Sequence, residues 1–197
     1  MASSFFSLLV NGQIEAGYFP SYDNLYCKFS TLNGPDWVVV SGVEEGITQQ
    51  SLSSPIPSFT GQPHTLARPC VWNFPLDLAF KATNAYGWPQ LILTVYGPDA
   101  LGRDVVRGYG SIRLPRTPGI HTIYTPMFVP LASTYFNGFL SWIRGRLPEF
   151  RDSRFVGRSE GRDVVCVRSQ GTVKVTVNIG TKDMERFGYV NRPLKAK

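Results

Sequence analysis

The fold class is decided by residues 84–110, which read NAYGWPQLILTVYGPDALGRDVVRGYG. A Gly-Trp-Pro sequence precedes an apolar run at 91–96, and a Gly-Pro-Asp turn follows that run. A Gly-Arg-Asp loop then leads into a second apolar run. Strand-like runs joined by Gly, Pro and Asp are typical of antiparallel β-structure. The segment holds no recognisable catalytic motif, so it favours a binding or scaffolding module over an enzyme.

Alternation of apolar and polar residues continues on both sides of this segment. In Trp72–Phe80 every second residue is large and apolar, and Pro75 places that strand at a sheet edge or at a bulge because proline has no amide donor. Thr172–Ile179 has one apolar and one polar face, which indicates a half-buried antiparallel strand. Weaker patterns of the same kind cover 6–14, 25–30, 37–43, 91–96, 105–114, 121–129 and 163–168. Eight or nine short strands predict an all-β antiparallel β-sandwich.

Two short helices are also predicted. Ala132–Ile143 has apolar residues at helical spacing after a possible cap at Ser133, which suits a crossover that covers the core. Thr181–Phe187 has Thr181 as a possible cap, and Gly188 would end it. We expect a single domain over residues 1–190, with a Ser/Pro-rich loop insertion at about 44–70 and a disordered tail at 191–197.

Charge is distributed unevenly along the 197 residues, whose net charge is +6. Residues 1–100 contain three Lys or Arg and seven Asp or Glu, a net charge of −4, whereas residues 101–197 contain 17 and seven, a net charge of +10. The basic half is either a solvated surface or a face for an anionic partner. Three widely spaced cysteines show no zinc-binding pattern and fit a reduced, cytoplasmic compartment.

No catalytic set is apparent. The two histidines, His64 and His121, are not near a nucleophile motif, and no phosphate-binding loop is present. Gly108-Tyr-Gly110 lacks the third glycine of a dinucleotide fingerprint, so these glycines are expected to let the strand bend or let a neighbouring chain approach closely. We therefore predict that the protein is not an enzyme and binds no cofactor.

Three aspartates form the weak candidate for a metal site. Asp23, Asp99 and Asp104 lie in predicted loops that could meet at one end of a sandwich and offer oxygen ligands to calcium. Calcium takes six to eight oxygen ligands, however, and three carboxylates from two loops are few. The alternative is that Asp99 and Asp104 cap turns, and we favour it.

The segment 144–168 is the candidate for partner binding. It contains seven arginines and four acidic residues, with aromatic residues among them. Arginine beside aromatic residues is typical of protein interfaces and of nucleic-acid grooves, but the acids argue against tracking a phosphate backbone. We rank a protein interface first, an anionic lipid surface second and nucleic acid third, with a solvated loop of internal ion pairs as the alternative. The candidate partner-binding residues are Trp142, Arg144, Arg146, Arg151 and Arg154.

Ten short motifs carry a family resemblance, and together they span the chain from Val10 to about Tyr189. They are Val10-Asn-Gly-Gln13, Asp23-Asn-Leu-Tyr-Cys-Lys28, Gly42-Val-Glu-Glu-Gly-Ile47, Val71-Trp-Asn-Phe-Pro75, Tyr86-Gly-Trp-Pro89, Val95-Tyr-Gly-Pro-Asp99, Asp104-Val-Val-Arg-Gly-Tyr-Gly110, Pro126-Met-Phe-Val-Pro130, Val167-Arg-Ser-Gln-Gly171 and Thr181-Lys-Asp-Met184. In this combination the sequence resembles the B9-domain family, the C2-like proteins of the ciliary transition zone. It departs from the family at 49–68, where the connection is longer.

This resemblance implies a C2-like antiparallel sandwich of about eight strands and a non-enzymatic role at the base of the cilium, next to the basal body and its cytoskeleton. The implied partners are other B9-domain proteins and the membrane proteins of the transition zone, in the Meckel syndrome and tectonic-like complex that serves ciliogenesis, ciliary gating and hedgehog signalling. A hetero-oligomer is therefore expected, with no nucleic acid. The alternative is a peripheral phospholipid-binding C2-type module, with little or no dependence on calcium.

Overall fold

A computed structural model describes residues 4–53, 68–99, 101–130, 153–157 and 166–189. In this part of the chain, nine strands form one antiparallel sheet. They are β1 (Phe6–Tyr18), β2 (Tyr26–Leu32), β3 (Trp37–Gly42), β4 (Glu45–Ile47), β5 (Pro69–Ala82), β6 (Gln90–Pro98), β7 (Asp104–Arg113), β8 (Gly119–Pro130) and β9 (Val167–Lys182). The strand order across the sheet is β3-β5-β1-β9-β8-β7-β6-β2-β4.

The sheet curls into two layers between β7 and β8. Within the described residues these strands pair at a single position, Tyr109 with Phe128, whereas β8 and β9 pair along almost their whole length. One layer is therefore β3-β5-β1-β9-β8 and the other is β7-β6-β2-β4. The prediction of an all-β antiparallel sandwich is confirmed.

The core lies between the layers and follows the alternation seen in the sequence. Leu8 and Val10 of β1 and Val175 and Val177 of β9 point inward and are at most 1% exposed. They face the inward residues of the second layer, such as Leu93 of β6. Burial of aliphatic side chains in this way, at about 25 cal/mol per Å² of apolar surface, supplies the main favourable term for the fold.

The paired glycines of β7 allow β8 to pass closely over it. A side chain at Gly108 or Gly110 would collide with Met127, which is fully buried on β8. The expectation was that these glycines let the strand bend or let a neighbouring backbone approach, and the atoms that approach them are those of the Met127 side chain. The close contact brings the two layers together at the point where the sheet curls.

The Gly-Trp-Pro sequence leads the chain into β6. Gly87 has a positive φ of 68° and lies against Gly34, whose amide donates to its carbonyl at 2.8 Å. Trp88 is buried, donates from its indole to the Leu114 carbonyl at 2.9 Å, and packs edge to face against Trp37 at 5.0 Å. This end of the sandwich is therefore closed by aromatic residues.

Strand β5 is both an inner and an edge strand, and it contains a bulge. Strand β3 pairs with it only from Leu78 to Ala82, and in the described part of the chain no strand pairs with that side of 71–77. The pairing with β1 shifts register between Ile14 and Ala16, next to Asn73 with a φ of 46°. The prediction that Pro75 puts this strand at a sheet edge or at a bulge is confirmed, because Pro75 lies in the free edge at 71–77 and a bulge lies beside it at 72–73. Residues 78–80 are paired on both sides.

Three other features differ from the sequence prediction. Strand β4 lies inside the loop expected at about 44–70, and 167–182 form one strand where two runs were expected. Thr181 belongs to β9, so it does not cap a helix; a 3₁₀ helix, Met184–Phe187, follows Asp183, and Gly188 ends it with a φ of 80°. The helix expected at 132–143 and the tail at 191–197 lie outside the described residues.

Within the described segments, no helix has the length and hydrophobicity that crossing a bilayer requires.

Candidate functional site

The two ends of the sheet meet on one side of the sandwich. Strand β3 is the first strand of the order and β4 is the last, yet only Val43 and Glu44 separate them in the sequence. The chain therefore crosses from one layer to the other at this point. We call this side, made of β3, residues 43–44, β4 and the 71–77 edge of β5, the open side.

A polar seam ties the layers together behind the open side. The Trp72 indole donates to the Leu25 carbonyl at 2.9 Å, and the Trp72 carbonyl accepts from the Gln49 side chain at 2.6 Å. Within the second layer, the Thr48 hydroxyl also accepts from the Cys27 amide at 2.9 Å, beside the β2–β4 pairing. Because Trp72 is on β5 and Leu25 lies just before β2, these bonds fix the distance between the layers. These bonds hold the free edge of β5 against the start of β2 behind the open side.

Aliphatic side chains are exposed along the open side. Val38 and Val40 on β3 are 51% and 60% exposed, Val43 in the connection is 66% exposed, and Ile47 on β4 is 58% exposed. Single exposed aliphatic residues are ordinary on a protein surface. Three of them are on the edge strands β3 and β4 and the fourth joins these strands, so they are candidates for contact with a partner protein.

Arg154 is the one predicted partner-binding residue within the described part of the chain. It lies in a 3₁₀ turn, Ser153–Gly157, which the buried Val156 anchors on Ile92, Val106 and Tyr109 of the outer face of β6 and β7. Its guanidinium forms an ion pair with Glu45 of β4 at 2.7 Å.

The other four candidates, Trp142, Arg144, Arg146 and Arg151, lie outside the described residues. The structure therefore shows only where the predicted basic segment meets the sheet, at Arg154. That contact is on β4, at the border of the open side.

Two of the three aspartates proposed for calcium, Asp23 and Asp99, cap loops with their carboxylates. Asp23 accepts from the amides of Asn24, at 2.7 Å, and Ser53. These backbone hydrogen bonds, the one from Ser53 above all, hold the pKa of Asp23 below its usual range. Asp104 is the first residue of β7, opposite Pro98.

Asp99 organises the turn between β6 and β7. One carboxylate oxygen accepts from the amides of Leu101, at 2.8 Å, and Arg103, at 2.9 Å, and the other forms an ion pair with the Arg103 side chain at 2.7 Å. The backbone bond from Arg103 is the main reason that the pKa of Asp99 is lowered. This is the turn-capping role that the sequence favoured for Asp99.

Basic and aromatic groups lie beside these loops. The Arg107 guanidinium stacks on the Tyr22 ring at 4.1 Å and donates to the Pro98 carbonyl. Across the described ranges, no group of three or more His, Cys, Asp or Glu is placed to hold a metal ion. Arg107 was not predicted as a site residue, because its position in the middle of a strand gave no signal for a loop contact.

The buried cysteines are not activated nucleophiles. Complete burial raises the pKa of the Cys27 thiol to about 12, and burial also raises the pKa of Cys70. Both thiols therefore stay protonated at neutral pH.

Comparison with known proteins gives a family match over residues 8–180, to a family described as ciliary basal body-associated B9 proteins. B9 domain-containing protein 1 of Xenopus laevis is 52% identical over 94% of this chain and 89% of its own length. The Homo sapiens protein of that name is 48% identical over 96% and 89%, and B9 domain-containing protein 2 of Xenopus laevis is 30% identical over 89% and 92%. Among solved structures, the C2A domain of plant extended synaptotagmin 1 matches 88% of this chain and 93% of its own, with a TM-score of 0.41 and 9% identity.

Proposed function

Because the chain belongs to the B9 family of ciliary basal body-associated proteins, we propose that it is a scaffold subunit at the base of the cilium. In this role it assembles with other B9-domain proteins and with membrane proteins of the transition zone, as part of the complex that serves ciliogenesis and ciliary gating. It performs no catalysis of its own. The observation that carries the proposal is the 52% identity to a B9 domain-containing protein 1 over 94% of the chain.

The geometry supports binding. The polar seam behind the open side fixes both layers, so a partner meets a preformed surface and loses little free energy to ordering it. Exposed aliphatic residues on that side, and the Arg154 turn at its border, supply both apolar contact and charge. These are the properties of a protein that works by assembly.

Affinity purification from ciliated cells tests the proposal. We expect the tagged wild-type protein to concentrate at the ciliary base and to recover B9 domain-containing protein 2. Reversing the charge of Arg144, Arg146, Arg151 and Arg154 to Glu should reduce that recovery several-fold, whereas reversal of the exposed Arg113 and Lys182 should not. A diffuse wild-type protein that recovers no B9-domain protein contradicts the scaffold function.

A second candidate function is peripheral binding to anionic phospholipid, and the turn between β6 and β7 favours it. Leu101 lies in the turn that Asp99 organises and is 75% exposed. Arg103 is beside it, and Arg107 lies at the base of the loop. An exposed apolar residue beside basic ones can enter a membrane interface, where phosphate groups would compete with Asp99 for Arg103.

Flotation with liposomes tests this second function. Vesicles that contain 20% phosphatidylserine and 5% phosphatidylinositol phosphate should carry the wild-type protein upward at low salt, with and without calcium. Leu101→Asp should abolish flotation, whereas Ile120→Asp, at a residue equally exposed on β8, should leave it intact. Equal flotation of both variants, or none by the wild type, contradicts lipid binding through this turn.

A further inference from the structure

Within the described ranges, the outer edge of β3 is unpaired at Val39, between the capped Trp37 and a register shift at Val39/Ser41. Strand β3 is the first strand of the sheet, and in the described part of the chain no strand pairs with its outer side. Its sequence, Trp-Val-Val-Val-Ser-Gly, contains no charged residue and no proline. Natural edge strands usually carry lysine, proline, a bulge or a covering segment that prevents pairing with other chains. Of these, as far as the described residues extend, β3 has only the irregularity between Val39 and Ser41, which follows the open position.

Hydrogen bonding shows which backbone groups face outward. The Trp37 amide donates to the Gly34 carbonyl at 3.1 Å, and the Trp37 carbonyl accepts from the Asn33 side chain at 2.8 Å, so neither bonds to β5. In an antiparallel pair, residues that bond to the neighbouring strand alternate with residues that do not. Val38 therefore bonds to β5, and the amide and carbonyl of Val39, opposite Phe80, point outward.

The outward backbone groups of Trp37 have hydrogen-bond partners, whereas, within the described segments, those of Val39 do not. At Trp37 the loop residues Asn33 and Gly34 supply the partners, which also shields that end of the strand. At Val39 no such cap exists among the described residues. The strand itself is firmly held, because Trp37 is 3% exposed and Val39 packs against the core.

The side chains and charges around this edge select the kind of strand that fits. Val38 and Val40 offer aliphatic contacts, which an alternating aliphatic strand would match. Exposed acids, Asp36 and Glu44, lie at the two ends of β3, whereas Glu45 is already paired with Arg154. Charge complementarity therefore favours lysine or arginine at both ends of the incoming strand.

We propose that the β3 edge binds an extended strand of a partner B9-domain protein, one with aliphatic residues at alternate positions and basic residues at both ends. The strand adds to the sheet through the outward groups of Val39, as in β-augmentation. This inference rests on the proposed function, because it names the surface by which assembly with B9-domain proteins occurs.

Substitution of the two valines tests the proposal. Lysines at an edge oppose pairing, so Val38→Lys with Val40→Lys should weaken binding to purified B9 domain-containing protein 2 at least tenfold in a surface-based binding assay. The matched control is Ile120→Lys with Tyr124→Lys, at exposed positions of β8, which should bind like wild type. Both double variants should unfold at the wild-type temperature, since all four side chains are exposed.

Amide exchange tests the strand pairing directly. In the complex, exchange of the Val39 amide should slow at least tenfold relative to the free protein, because that amide gains an acceptor. An unchanged Val39 exchange rate in a saturated complex overturns the strand addition, even if the lysine variants bind weakly.

The remaining outcomes separate this inference from the proposed function. If the wild type binds and the β3 variant binds equally well, the edge assignment fails and the scaffold function stands. If the wild type binds no B9-domain protein, both fail. Analytical ultracentrifugation could instead show that the wild type associates with itself and that the β3 variant does not. That result would assign the edge to a second copy of this chain and overturn the proposal of a different B9 partner.

Discussion

At the scale of single residues, Trp72 controls the separation of the two layers. Its ring is 2% exposed, its indole binds the Leu25 carbonyl, and its own carbonyl binds the Gln49 side chain. One residue on β5 thereby contacts the entrance to β2 and the segment after β4. Replacement by phenylalanine would remove this donor, but the Leu25 carbonyl would still accept from the Ser51 amide at 2.9 Å. The expected cost is therefore that of one ordinary hydrogen bond, about 0.5–1.5 kcal/mol.

Gly12 is the position on β1 where a side chain is least tolerable. A β-carbon there would collide with the carbonyl oxygen of Thr176 on the neighbouring strand β9, and that main chain cannot move without disturbing the sheet. We expect Gly12→Ala to reduce the free energy of unfolding by about 3 kcal/mol, at the upper end of overpacking effects. Urea denaturation followed by tryptophan fluorescence measures the change.

Gly180 on β9 provides the matched control. A β-carbon there would lie 3.5 Å from the nearest atom, Cβ of Leu9, which is an ordinary contact. Gly180→Ala should therefore change the free energy of unfolding by less than about 1 kcal/mol. Equal losses in the two variants would contradict the steric explanation.

Sequence patterns predicted residue roles where the cause is local, and missed them where it is not. Gly188 was predicted to end a helix, and its positive φ is a local property of a glycine after a helical turn. Asp183, which precedes that turn with a φ of 64°, was not predicted, because the alternation of β9 does not show where the strand ends.

At the scale of elements, strand length decided what the sequence could reveal. The long strands β1, β5 and β9 have 13, 14 and 16 residues, and alternation predicted a part of each. Strand β4 has three residues, too few for a period, and it exists because Gly46 fits against Phe29 of β2. Likewise, which side of β5 is an edge depends on where β3 ends, which is a tertiary property.

The 3₁₀ turn at Ser153–Gly157 divides its roles between two side chains. Val156 is 4% exposed in the cluster with Ile92, Val106 and Tyr109, so Val156→Ala should cost about 2 kcal/mol of stability. Arg154 forms an exposed ion pair, so Arg154→Ala should cost less than about 1 kcal/mol.

Thermal unfolding of the two variants measures their difference in stability. The partner-binding assay then measures whether Arg154 contributes to binding. Because Arg154 borders the open side, its alanine variant should bind partners more weakly while remaining stable. A large loss of stability from Arg154→Ala would show that the residue serves the fold and would remove it from the candidate interface.

At the scale of the whole molecule, the open side results from the topology. A sheet that curls at the β7–β8 crossing brings its two ends together, and the connection 43–44 joins them. The sequence placed the candidate interface at 142–154, because arginine and aromatic residues mark interfaces locally. The sequence could not identify β3 as a second candidate interface. Whether Trp37–Gly42 is an edge strand or an inner strand depends on the pairing of distant segments.

The extent of the domain can be tested by shortening the chain at two points. Phe187 and Tyr189 pack edge to face on the fully buried Phe6, at 5.6 and 5.5 Å, and the Tyr189 hydroxyl accepts from the Ala85 amide at 3.3 Å. Residues up to Tyr189 therefore complete the core beside the start of β1. We propose that the domain ends near residue 190 and that 191–197 add nothing to its stability.

Two truncated chains measure this boundary. A chain that ends at residue 190 should keep the wild-type unfolding midpoint within about 2 °C, which corresponds to less than about 1 kcal/mol for a domain of this size. A chain that ends at Asp183 loses the buried Met184 together with Phe187 and Tyr189, and removal of one large core side chain alone costs about 3–5 kcal/mol. We expect that chain to be largely unfolded at 37 °C, because such a loss approaches the whole stability of a typical domain. If the first truncation destabilises the protein, the domain continues beyond residue 190. If the second truncation leaves the protein stable, the aromatic contacts with Phe6 are not needed for the core.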